Sequence, residues 1–354
     1  MATKKEAYLF LSAMLRAREP GMLSRDKAER MLDAPSFEEC AKLLTDCGYE
    51  DLSQKKAGEI ESVLADRRAA IFKELETMVP EKALVDFFRI KYDYHNAKVI
   101  LKADAQGLSE SGLLSASGRV KPDTLVNALR EGAYQDLPKA LAAAAQEAAS
   151  ILARTANPQL ADFCLDKAYF AEFKALADEM DSDFLRGYAA VLADSTNLRS
   201  AVRTMRMGKD SGYLLEALVS GGSVSPQRVA EAGSGEGLTA LFQSSRLANA
   251  AALGAAAVEG GSLTAFELAC DNAVNGYLGE AKLVGYGEEP AVAYLAAVEN
   301  EITAVRMILT GRLAGIAPNV IRERLRDLYA GIDLCSVQFS SVQSLSRVRL
   351  FATP

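Results

Sequence analysis

Apolar positions recur every three or four residues over stretches 8–15, 37–44, 60–79 and 84–101, the spacing that gathers them on one face of an α-helix. The same period returns over 123–130, 138–153, 160–177, 184–205, 211–219, 227–232, 263–275 and 291–313. Gly21, Pro35 and Gly48 separate the first of these stretches, and glycine- or proline-bearing turns separate the rest. No stretch alternates polar and apolar with the period of two that a half-buried strand needs. The pattern predicts an all-α protein. Abundant alanine and leucine, few aromatics and no tryptophan agree, because small side chains let helices pack closely.

A longer period lies above the helical one. Asp93 is followed by Asn96 and Lys98, then by the turn Gly118-Arg119-Val120-Lys121-Pro122 leading into Leu125. Asp194 is followed by Asn197 and Arg199, then by Gly222-Ser223-Val224-Ser225-Pro226 leading into Val229. A degenerate third copy reads Glu301, Ala304 and Arg306, then Gly315-Ile316-Ala317-Pro318 leading into Ile321. The acids stand 101 and 107 residues apart, the length of a small domain. The expectation is a triplicated helical module, with domains at 1–131, 132–232 and 233–335 and a tail at 336–354. Within each turn the glycine is expected to permit the bend and the proline to preset the next helix.

Several function classes are disfavoured. A net charge of −7 argues against a general affinity for nucleic acid. Charged residues interrupt every candidate leader at the N-terminus, and no apolar stretch is long enough to span a bilayer. Five scattered cysteines without a C-x-x-C pair read as reduced thiols of a cytosolic protein. His95 is the single histidine, so the chain offers neither a second histidine for a relay nor a two-histidine metal site. Gly233-Ser234-Gly235-Glu236-Gly237 lacks the lysine and hydroxyl residue of a phosphate-binding loop and is expected to be a flexible connection. The acids Asp178, Glu179, Asp181 and Asp183 lack calcium-loop spacing and read as a solvated helix end, and Glu288 and Glu289 carry no stronger signal. No cofactor is expected.

The basic residues of the repeat are the remaining candidates. Asp93 and Lys98 lie five residues apart, about 140° around a helix, so they cannot pair within it. Lys98 and Lys102 share a face, as do Arg199, Arg203 and Arg206, and Arg306 holds the matching place in the third copy. These six residues are candidates for docking an acidic partner segment, against the plainer reading of a wet helix face.

The stretch Asp93-Tyr94-His95-Asn96-Ala97-Lys98, followed by Ile100-Leu101-Lys102, resembles the D-Y-H-N-x-K-x-x-L-K signature of the central-stalk C (or d) subunits of V/A-type ATPases. Similar stretches follow in the family's order: Tyr8 with Arg16–Glu19 and Leu23-Ser24, Phe37-Glu38-Glu39 with Leu43-Leu44 and Tyr49, Asp166 with Tyr169-Phe170, and Glu299 to Arg306 with Ile321-Arg322 and Leu325. The resemblance covers about residues 5–330. It implies a non-catalytic funnel of three helical domains around a pseudo-threefold axis, a socket between the D and F shaft subunits and the membrane ring of c (K) subunits. It also implies a peripheral place on the cytoplasmic face, coupling ATP turnover to proton or sodium transport. The tail has no counterpart in that family. The rival reading is a helical-repeat scaffold for acidic peptides, which calls for a period of roughly 30–45 residues.

Overall fold

The computed structural model describes residues 4–110 and 112–331, so the expected tail at 336–354 lies outside the described residues. Among those residues there are sixteen α-helices and no strand. The first five are α1 (Leu9–Arg18), α2 (Arg25–Asp33), α3 (Phe37–Lys42), α4 (Ala57–Met78) and α5 (Ala83–Gln106). Next come α6 (Pro122–Glu131), α7 (Lys139–Thr155), α8 (Pro158–Glu179), α9 (Asp183–Arg206), α10 (Ser211–Ala217) and α11 (Pro226–Glu231). The series closes with α12 (Gly235–Phe242), α13 (Ala248–Val258), α14 (Leu263–Gly279), α15 (Glu288–Leu313) and α16 (Pro318–Arg322). The all-α expectation holds.

Local chemistry sets many of the boundaries. Ser24, Ser36, Ser182, Asp210, Ser225 and Ser234 each accept a backbone N–H of the first turn of the helix they precede. Proline opens α6, α8, α11 and α16, where its missing N–H costs nothing. The glycine-rich stretch 233–237 is not a flexible connection: Ser234 caps α12, and Gly235 lies where a Cβ would meet Cα of Ala255 at 2.7 Å. Gly235 serves close packing of α12 on α13, Gly237 leaves room for the Ala232 carbonyl, and Gly233 has φ 66°.

The chain forms two compact units, a discontinuous one made of Met1–Leu64 with Asp271–Pro354, and a continuous one, Ala65–Cys270. In the continuous unit α8 packs on α5, α7 and α9. One core there joins Tyr94, Ala97 and Ile100 of α5 to Leu141 and Ala148 of α7 and Leu165 of α8. Aromatic rings fill a second layer, with Phe87 stacked on Phe173 at 3.9 Å between centroids and Tyr188 beside both. Aromatic contacts of this kind add to what area burial alone contributes.

The discontinuous unit is built around α15. Its residues from Pro290 to Val298 are all buried, apolar right round the helix, which is what a central helix requires. Helices α1, α2, α3 and α16 pack against it.

Candidate functional site

The acid of each repeat is a buried clasp on a backbone turn. Asp93 is fully buried on α5, and its Oδ1 accepts the N–H of Val120 at 3.1 Å while its Oδ2 accepts Nε of Arg119 at 2.8 Å. One turn along α5, Asn96 bonds both backbone groups of Ser115, donating to the carbonyl and accepting the N–H at 2.8 Å each. Asp194 on α9 repeats this, accepting the N–H groups of Val224 at 3.2 Å and Ser223 at 3.0 Å. Asn197 bonds the N–H and the carbonyl of Val219, again at 2.8 Å. The physical reason is plain: the non-helical stretch leading to each turn leaves backbone groups without helix partners, and an Asp-x-x-Asn helix face supplies them.

The glycines of these turns are needed for a different reason from the one expected. Neither Gly118 nor Gly222 has the positive φ that favours glycine. A Cβ at either would collide with Oδ1 of Asp93 or Asp194. The carboxylate occupies the space a side chain would take.

The third copy departs from the expected reading. Glu301 on α15 reaches a different turn; its Oε2 accepts the N–H of Leu23 at 2.7 Å and its Oε1 accepts the hydroxyl of Tyr49 at 2.9 Å. Gly315, with φ 70°, ends α15 as Gly107 (φ 64°) and Gly208 (φ 63°) follow the ends of α5 and α9, each fourteen residues beyond its acid. The true third turn is Gly21-Met22-Leu23-Ser24, at the other end of the chain. Leu23 stands where Val120 and Val224 stand, and Ser24 caps α2 as Ser225 caps α11. Ala304 replaces asparagine because the approach to this turn is helical: α1 and the 3-10 turn Glu19–Gly21 bond their own backbone groups, with Met22 N–H on the Glu19 carbonyl at 3.1 Å. An amide there would find no open peptide group.

Two signals within the sequence could have found this turn. The acid-to-glycine spacing of fourteen is shared by all three copies, and Gly-x-[Val/Leu]-x before a helix occurs at 21–24 as at 118–121 and 222–225.

Each basic candidate has an internal partner. Lys98 pairs with Asp166 and Lys102 with Asp162, both on α8. Arg199 donates to the Glu267 carbonyl, Arg203 pairs with the Glu267 carboxylate, and Arg206 donates to the Gly261 carbonyl. Arg306 pairs with Glu61. Asp93 and Lys98 thus find separate partners, as their angular spacing demands.

Electrostatics follow burial. Burial pushes the carboxyl of Asp93 above its ordinary range, against the pull of the Arg119 guanidinium and the Val120 amide. Burial raises Asp194 likewise, and only neutral donors, Ser223 and Val224, oppose it. Tyr94 is raised by burial and then by Glu172, to which it donates at 2.8 Å. Arg119 reaches the same Glu172, so this carboxylate and Asp93 share one guanidinium.

His95 is exposed, with Nε2 3.4 Å from the Leu113 carbonyl. Asp178, Asp181 and Asp183 sit at the α8–α9 corner and pair with Lys174 and Arg186, a solvated helix end. Glu289 pairs with Lys5 in the first turn of α15. Among the described residues no three His, Cys, Asp or Glu side chains gather as a metal site. No described helix is long and apolar enough to cross a membrane.

The sequence model of a family described as ATP synthase (C/AC39) subunit matches residues 11–324. The C subunit of the V-type sodium ATPase of Enterococcus hirae is 22% identical over 325 residues, covering 91% of this chain and 99% of that protein. The C subunit of the A-type ATP synthase of Methanocaldococcus jannaschii is 22% identical over 352 residues, covering 91% of this chain and 86% of the relative. The C subunit of the V-type ATP synthase of Thermus thermophilus is 24% identical over 208 residues, 57% of this chain and 64% of that one.

Proposed function

The chain belongs to the ATP synthase (C/AC39) subunit family, an accessory and non-catalytic part of its complex, and from that premise we propose that it is the central-stalk socket of a V/A-type rotary ATPase. In this reading it links a shaft of D and F subunits to the membrane ring of c (K) subunits, and so couples ATP hydrolysis or synthesis to proton or sodium transport. The observation that carries the reading is the extent of the match, which runs through nearly the whole chain and nearly the whole of the Enterococcus relative.

The proposed arrangement is three helical domains, 1–131, 132–232 and 233–335, set as a funnel with pseudo-threefold symmetry. The recurring acid clasp supports the threefold repeat, since the same device fixes a turn beside each of three long helices, and the third clasp ties Glu301 to Leu23 of the N-terminal segment. The proposed place is peripheral, on the cytoplasmic face of the membrane.

A coupler needs stiffness, and buried carboxylates holding backbone turns, together with helices packed on alanine, supply it. The basic stripe has a part in the proposal as well. The side chains of Lys102 and Arg203 keep 43% and 56% of their exposure, so an acidic partner segment can exchange with Asp162 and Glu267 for them at small cost.

Mixing the purified chain with D and F subunits and with detergent-solubilised ring tests this. Co-elution is expected with both, weakened by high salt and by joint reversal of Arg199→Glu and Arg203→Glu. Elution of the chain alone from both mixtures would remove the reading. Salt-insensitive binding that the double reversal leaves unchanged would remove the polar docking stripe.

A further inference from the structure

The start of α15 is not a solvated helix end. Glu288 and Glu289 lie in its first turn, and Glu288 is only 7% exposed. Among the described residues no donor reaches the Glu288 carboxylate, and Oε2 of Glu289 is buried without one. A first-turn place favours an acid but does not account for its burial, which costs free energy while no cation covers it. One cation stands near both. Lys5 pairs with Glu289 at 3.1 Å, and its ammonium is held above the ordinary lysine range first by that hydrogen bond and then by the charge of Glu289, with smaller contributions from Glu288 and Tyr286. Two carboxylates thus share one exposed lysine.

An apolar surface adjoins these acids. The segment 283–289 runs beside α1: Ser12 Oγ bonds the N–H and the carbonyl of Gly287, each at 3.3 Å, and Arg16 donates to the Val284 carbonyl at 2.9 Å. Leu9, Ser12 and Arg16 are three and four residues apart on α1, so they share a face and Leu9 flanks the same segment. Leu9 and Phe10 are 56% and 74% exposed, and Leu283 and Tyr286 are exposed on the segment itself. Large apolar side chains gathered at the surface mark an interaction site, and the two acids set its sign.

We propose that α1 and the 283–289 segment form a docking surface for a basic amphipathic helix of a partner protein. An arginine or lysine of that helix reaches Glu288, and its apolar face covers Leu9, Phe10, Leu283 and Tyr286. Charge complementarity selects this occupant. A neutral or acidic segment would leave Glu288 buried without a cation, whereas a basic one supplies charge-assisted hydrogen bonds in a place already shielded from water. The surface is opposite in sign to the stripe of Lys102 and Arg203, and it goes beyond the rotary reading, since it asks only for a partner of this chemistry.

The probe is a synthetic helical peptide with leucine on one face and arginine on the other, added to the full-length chain. Fluorescence anisotropy is expected to show saturable binding that Glu288→Gln and Phe10→Ser each weaken about tenfold, the worth of one hydrogen bond to a charged group or of one covered aromatic ring. Joint Arg199→Glu and Arg203→Glu should leave it unchanged, so this surface and the stalk reading fail separately. With the photoreactive side chain of benzoylphenylalanine in place of Phe10, irradiation should join position 10 to the peptide. Equal binding by wild type, Glu288→Gln and Phe10→Ser would overturn the proposal. So would cross-linking of position 10 to a second copy of the chain or to its own residues 332–354 instead of the peptide.

Discussion

The clasps of the continuous unit and the clasp of the discontinuous one solve the same problem with different parts. In the continuous unit a short acid is pressed against a glycine, and an asparagine one turn on holds the non-helical approach to the turn. In the discontinuous unit a longer acid reaches the turn from farther off, Gly21 has open space where a Cβ would go, and alanine stands in the asparagine's place. The difference teaches that the constant element of the device is an acceptor for one particular amide. The glycine and the asparagine are consequences of how closely, and in what conformation, the chain arrives there.

That comparison can be broken at several points. The largest effect is expected from Asn197→Ala, which orphans the buried N–H and carbonyl of Val219 and should cost about 3 kcal/mol. The complementary Ala304→Asn should also destabilise, because a buried amide would find no open peptide group there. Urea unfolding followed by circular dichroism reads both, and a stabilised Ala304→Asn would show that the third approach has free backbone groups after all.

Glycine substitutions should separate the two regions next. Gly222→Ala drives a Cβ into Asp194 and should cost about 2 kcal/mol. Gly21→Ala should stay within about 0.5 kcal/mol. Equal urea midpoints for these two variants would mean that the carboxylate does not hold the glycine's place.

The smallest effect is a pH dependence. Asp194 has its carboxyl raised by burial and no cation beside it, so the folded protein holds that proton more tightly than the unfolded chain does. Its contribution to stability is therefore present below the ordinary aspartate value of 3.8 and is lost as pH rises through the folded value. Wild type should lose stability relative to Asp194→Asn across that window, in urea titrations at stepped pH. A difference that stays constant would place the Asp194 proton equally in both states.

Much of the helix plan was legible. The apolar period over 184–205 lies inside α9, that over 291–313 lies inside α15, and that over 123–130 lies inside α6. Helix α2 was missed because it is short and strongly charged, although Ser24 stands ready as its cap. Helix α12 was missed because its glycines signal a loop, and only the nearness of Ala255 to Gly235 and of the Ala232 backbone to Gly237 explains them. The clasp residues were visible as a repeat, but their purpose was not: nothing in the local pattern says whether a buried carboxylate faces a cation, a ligand or a backbone amide.

The sequence by itself determined most of the helices, the two full copies of the acid–asparagine–base pattern, and the impossibility of pairing Asp93 with Lys98 on one helix, since each depends on spacing along a single element. Tertiary structure decided where the third turn comes from, why Gly118 and Gly222 are glycines, and which groups take up the basic stripe. Those answers depend on atoms far apart in the chain, and a carboxylate selects its donor by distance in space rather than by position in the sequence.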